Sequence, residues 1–111
     1  MKMEIFIPKT HLARLQAALQ SVDAGHLGSY DSCLSYSEVI GCWRPLAGSK
    51  PFLGTENQIS REPELKVEVT CLRENVDITV AAVKQVHPYE EPVIQVIPLY
   101  RTSFDEPRNL F

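Results

Sequence analysis

The chain has 111 residues, 44% of them hydrophobic and 23% charged, with a formal net charge of -3. That length is one domain with one core, and the slight acidic balance offers no electrostatic footprint for nucleic acid or an anionic membrane. There is no apolar run long enough to span a bilayer and no leader pattern at the start, so the expectation is a soluble cytoplasmic protein.

Residues 2 to 7 alternate, with Met3, Ile5 and Ile7 on one side and Phe6 on the other, which predicts a first strand ended by Pro8. Thr10 then stands where an N-cap belongs. Leu12, Leu15, Leu19 and Val22 follow at helical spacing, and Gly25 falls where a helix-ending glycine is expected. Burying those four side chains favours folding by about 1.5 to 3 kcal/mol each before entropy is counted.

Residues 27 to 46 are rich in aromatic, β-branched and cysteine residues, a composition that predicts a hairpin or bent strand interrupted at Gly41 by a bulge or tight turn. Residues 47 to 63 carry too many breakers for a long element and read as an ordered loop. Leu65, Val67, Val69 and Cys71 alternate with polar residues in the next strand. A second helix spans residues 74 to 86, with Asn75 near its start. It is so β-branched that packing against a sheet must hold it. Residues 92 to 100 form a last strand, in which Pro98 suggests an edge position or a bulge. The core is thus expected over residues 2 to 100, followed by a polar tail from 101 to 111 in which Phe104, Leu110 and Phe111 could dock on a neighbour.

This order of elements is the split βαβ pattern of an α+β, ferredoxin-like sandwich. It implies an antiparallel sheet of order 4-1-3-2, two helices on one face and an extra hairpin. In that topology His26 and His87 lie at opposite ends of the sheet, so one chain cannot bring them to one metal. Cys33, Cys42 and Cys71 are odd in number and widely spaced, and are read as free thiols.

The segment HPYEEP, residues 87 to 92, clusters imidazole, phenol and two carboxylates on a corner stiffened by Pro88 and Pro92. It reads either as a binding corner or as a helix stop in which His87 caps carbonyls and Tyr89 packs. Glu90 and Glu91 are consecutive and point apart in an extended connection, which excludes the facing pair of a glycosidase. His26 sits beside Gly25, with Gly28 and Tyr30 following; it reads as a polar ligand or as a turn histidine bonded to a carbonyl. His11 reads as a surface residue. A carboxylate with His87 supplies two of the ligands that zinc or copper needs, so a divalent metal, the candidate cofactor, would require His26 of one chain and His87 of another. The sequence has no GxSxG, Walker A, dinucleotide fingerprint or HExxH motif.

GHLGSYDSC at 25 to 33, RPLAGSKPFLG at 44 to 54 and LRENVDITVAAVKQVHPYEEP at 72 to 92 together resemble the insert domain of NIF-three-like (YqfO-type) proteins. HPYE followed closely by proline is also similar to CutA proteins. The hairpin departs from the family's Gly-x-Gly turn followed by Phe, since Val39, Ile40, Gly41 and Cys42 precede Trp43. The resemblance implies a PII/CutA-like module that forms a homo-oligomer, often a trimer, without the dinuclear metal centre that full-length members hold in another domain. The expectation is a non-catalytic binding or regulatory module for a small ligand or protein partner. Its candidate ligand-binding residues are His26, Gly28, Tyr30, His87, Tyr89 and Glu90. A metal-binding or metal-tolerance protein of CutA type is the alternative, and a hydrolase without a recognisable signature the second.

Overall fold

A computed structural model describes residues 1 to 104. Strand β1 (Lys2–Ile7) leads through a single 3-10 turn into helix α1 (Leu12–Ser21). Strands β2 (Ser35–Trp43) and β3 (Ser60–Thr70) follow, then helix α2 (Val76–Val86) and strand β4 (Ile94–Ile97). The sheet order is β2-β3-β1-β4, with every neighbouring pair antiparallel. The expected ferredoxin-like order is therefore observed, and Pro98 does follow an edge strand.

Alternation decides which side chains enter the core. Met3, Ile5 and Ile7 of β1 pair with Val69, Val67 and Leu65 of β3, and all six are buried. Both helices cover this face: Leu15 and Leu19 of α1 and Val83 of α2 complete one cluster, with Leu12, Val22, Val76 and Val80 packed at its margin. Thr79 is fully buried in α2, and its hydroxyl donates to the Asn75 carbonyl at 2.6 Å. That bond satisfies a polar group that would otherwise be costly there. The opposite face is polar along its middle, where Lys2 bonds Glu4 and Glu68 at 3.3 and 2.5 Å and Lys66 reaches Glu4 at 3.4 Å.

Several local expectations change. Gly41 makes no bulge: it pairs with Glu62 in an unbroken ladder. The strand expected from residue 65 begins at Ser60 and runs through Pro63, which is tolerated because β1 pairs only with Leu65 to Thr70, leaving the outer half of β3 with β2 as its one neighbour. The extra hairpin is thus these two strands continuing past β1. Thr10 does not cap α1, since its hydroxyl bonds His11 Nδ1 at 2.8 Å and the helix is entered through the 3-10 turn. At the other end of α1 it is Asp23, with φ of 60°, that takes the left-handed conformation one residue past the C-cap. Gly25 instead serves a close approach between segments. At φ of 78° its N–H donates to Thr70 O, and a Cβ there would collide with Cys33 O. Phe104 approaches Gly28, while the expectation for Leu110 and Phe111 falls outside the described residues.

Candidate functional site

Where α2 ends, His87 turns extended, as the residue before a proline prefers, and its ring reaches the backbone of β1. Nε2 donates to Phe6 O at 2.6 Å, and Nδ1 accepts the Tyr89 N–H at 3.2 Å. Both nitrogens are thus committed to backbone, and the residue is only 8% exposed. Burial holds its pKa below the ordinary histidine value, against the opposing pull of the Phe6 carbonyl. The neutral tautomer with the proton on Nε2 fits both bonds. His87 therefore ties the corner to β1, and a metal bound there would first have to take a ring nitrogen from one of these partners.

Two residues on, Tyr89 stands among aromatic rings, with centroids 5.0 Å from His87, 5.6 Å from Trp43 and 6.2 Å from Phe52. Its hydroxyl donates to Glu64 Oε2 at 3.0 Å. Desolvation, then this carboxylate, holds the phenol far above its usual pKa, so Tyr89 stays protonated. Glu64 is nearly buried on β3, and its carboxylate occupies the space that a side chain on the facing strand would fill: a Cβ at Gly41 would collide with Oε1. Glu90 accepts the Lys50 N–H at 3.0 Å and so fastens the 44 to 54 loop to the corner. Trp43 Nε1–H donates to Leu53 O at 3.2 Å and folds that loop over the end of the sheet.

The result is a cleft of about 340 Å³. Phe6, Trp43, Phe52 and Tyr89 supply its aromatic surface, and Glu64, Glu90, Glu91 and Arg44 its charges. Composition alone did not single out Trp43, Phe52 and Glu64 for this role. The signals were a lone tryptophan beside a proline-rich loop and a glycine facing an acidic strand.

The other candidates lie at the far end of the sheet. His26 is exposed, with Nδ1 2.9 and 3.0 Å from the Asp23 carboxylate oxygens and Nε2 3.1 Å from Gly28 O. Both partners are acceptors, so the doubly protonated ring suits the turn, and the Asp23 bond raises its pKa. Gly28, with φ of 59°, lies in a tight turn closed by paired backbone bonds between Leu27 and Tyr30; Tyr30 is 75% exposed. The structure thus brings together His87, Tyr89 and Glu90, and separately His26, Gly28 and Tyr30, as the topology requires. Among the described residues no three His, Cys, Asp or Glu side chains are grouped to hold a metal. Nor is any helix there long and apolar enough to cross a membrane. All three cysteines are free.

No family model matches the chain. It is 36% identical over 98 residues to a protein of Halalkalibacterium halodurans and 33% identical over 105 residues to one of Bacillus subtilis, each named GTP cyclohydrolase 1 type 2 homolog. These alignments cover 88% and 95% of the chain but 26% and 28% of the relatives, so the chain spans about a quarter of their length. In structure it is similar to a Bacillus cereus protein related to NIF3, with TM-score 0.78, 31% identity, and coverage of 90% of this chain and 25% of the other. The PII-like protein CutA from Nostoc superposes with TM-score 0.63 at 17% identity, over 87% of this chain and 79% of that one. CutA1 from Pyrococcus horikoshii gives 0.69 at 14% over 98% and 92%. Both of the latter share the fold.

Proposed function

We infer that this chain, homologous to one module of the NIF-three-like proteins and PII/CutA-like in fold, is a non-catalytic binding or regulatory module that takes a small ligand at the HPYEEP corner. The observation that carries this reading is the cleft itself. Residues from β1, β2, β3, the 44 to 54 loop and the corner converge on one cavity of about 340 Å³, large enough for a small ligand. The bonds of Glu90 to Lys50 and of Trp43 to Leu53 hold its walls in place. Among the described residues lining the cleft, Cys42 is the one thiol and Ser49 the one aliphatic hydroxyl; the Ser49 hydroxyl donates to Leu46 O at 2.7 Å, the Tyr89 phenol to Glu64, and no bond from Cys42 or Ser49 to a histidine is seen. We therefore assign the module no reaction of its own, and the activity in its relatives' name is left with the three-quarters of those proteins that it does not match.

The working form is a homo-oligomer, a trimer by preference, in the cytoplasm, where the three thiols stay reduced. The projecting β2 and β3 support assembly, since their outer halves have no third strand and expose Ile40.

Trp43 is the only tryptophan and lines the cleft, so its fluorescence reports occupancy directly. A pool of cellular small molecules is expected to contain a component that shifts or quenches this emission saturably in wild type, and not in Phe52→Ala. A pool fractionated to exhaustion with no saturable change sinks the binding reading.

A further inference from the structure

We propose that the ligand of this cleft is a small organic cation of the alkylated ammonium class, resting on the faces of Trp43, Tyr89 and Phe52 with the Glu64 carboxylate as its counter-charge. The proposal rests on the cleft being the binding site and adds the chemistry of what enters it.

The leading observation is Glu64. It is 6% exposed, and its neutral partner is the Tyr89 hydroxyl. Among the described residues the ion pairs of Lys2, Lys9 and Lys66 go to Glu4, Glu38 and Glu68, and neither a lysine nor an arginine pairs with Glu64. A little-exposed carboxylate at the wall of a cleft, with no cation in ion-pair reach, can serve as the counter-charge of a cationic ligand. Gly41 gives it that place, because any side chain there would collide with it.

The second observation is that the polar tips of the rings are already used. Trp43 Nε1–H is given to Leu53 O and the Tyr89 hydroxyl to Glu64, so what remains is the electron-rich ring faces. Such faces attract a cation, most strongly one whose methyl groups lower the cost of leaving water. The third is a shortage of donors for an anion. In the loop over the cleft the Lys50 N–H is held by Glu90, and the Ser49 N–H and hydroxyl by Leu46 O. Of the four charged lining residues three are carboxylates, and the single guanidinium, Arg44, is exposed. A hard metal ion fits poorly, since it requires several converging oxygens and the described residues contain no group of three acidic, histidine or cysteine ligands.

The test is titration of the full chain with choline chloride, with tetramethylammonium chloride and with the neutral isostere in which carbon replaces the choline nitrogen, read by calorimetry and Trp43 fluorescence. Choline is expected to bind about tenfold more tightly than the isostere, the size of a desolvated cation–aromatic contact with a nearby carboxylate. Glu64→Gln, nearly the same in shape, should lose about tenfold for choline and nothing for the isostere. Should Glu64→Gln fail to fold, Glu91→Gln serves instead: it is exposed, and should weaken choline about threefold with unchanged melting. Equal affinity for choline and isostere, indifference to both substitutions, or competition by inorganic phosphate would overturn the cation assignment while leaving the cleft as a site. Silence of Trp43 towards these probes and towards the whole metabolite pool would remove the site as well.

Discussion

The cost of losing His87 depends on its burial. As an exposed helix-terminal histidine it would contribute about 0.3 to 1 kcal/mol, and His87→Ala would pass almost unnoticed. In the structure its loss leaves Phe6 O and the Tyr89 N–H without their partner in a buried setting. We expect His87→Ala to remain folded but to lose about 1 to 3 kcal/mol in urea denaturation. The two histidine sites also have opposite pH signs. The folded pKa of His87 is depressed, so the unfolded chain binds the extra proton. Its contribution is complete above the unfolded value of about 6.5 and is lost as pH falls through the lower folded value. His26 is raised by Asp23, so its contribution is present below the unfolded value and is lost as pH rises through the folded one. Histidine resonances followed by NMR should therefore titrate on opposite sides of about 6.5, and Asp23→Asn should bring His26 down while leaving His87 where it is.

At the level of elements, strand and helix positions were readable because β1, β3 and α1 each have one apolar face against one core, and periodicity records that directly. The errors lie where a residue's role depends on something distant in sequence. Gly41 resembles a break until Glu64 is known to need its space, and Pro63 resembles a strand end until β1 is seen to stop short of it. The HPYEEP corner was legible as a candidate site, but the Trp43 and Phe52 rings beside Tyr89 come from the 43 to 53 segment, and no local pattern joins the two. Gly25 gives the sharpest test at this scale. Its positive φ and the carbonyl of Cys33 both oppose a side chain. Gly25→Ala should cost about 1 to 3 kcal/mol, measured by thermal and urea unfolding, whereas Gly48→Ala, with open space around it, should cost only its backbone strain of about 1 kcal/mol. Equal losses at the two positions would show that the close approach at Gly25 is without consequence.

The whole molecule is long for its size, 47 by 24 by 22 Å, and β2 and β3 run on past β1. Ile40 is 65% exposed and Ile59 60%, both at that projecting end. If those side chains meet other copies, Ile40→Asp should shift the mass measured by light scattering towards the 12.5 kDa monomer without altering the circular dichroism. A wild-type protein that is already monomeric at micromolar concentration would dismiss the assembly.

The position of β1 also governs how the chain reaches this state. β1 is made first, yet its partners on either side begin at Leu65 and Ile94, and the His87 bond to Phe6 O spans 81 residues. During synthesis Met3, Ile5 and Ile7 have only α1 to pack against until most of the chain has followed. The two strands with a purely local route to each other are β2 and β3, so their hairpin can form early and offer β1 its first template. Folding should then be slow for a protein of this length and prone to early aggregation, with β1 as the adhesive segment.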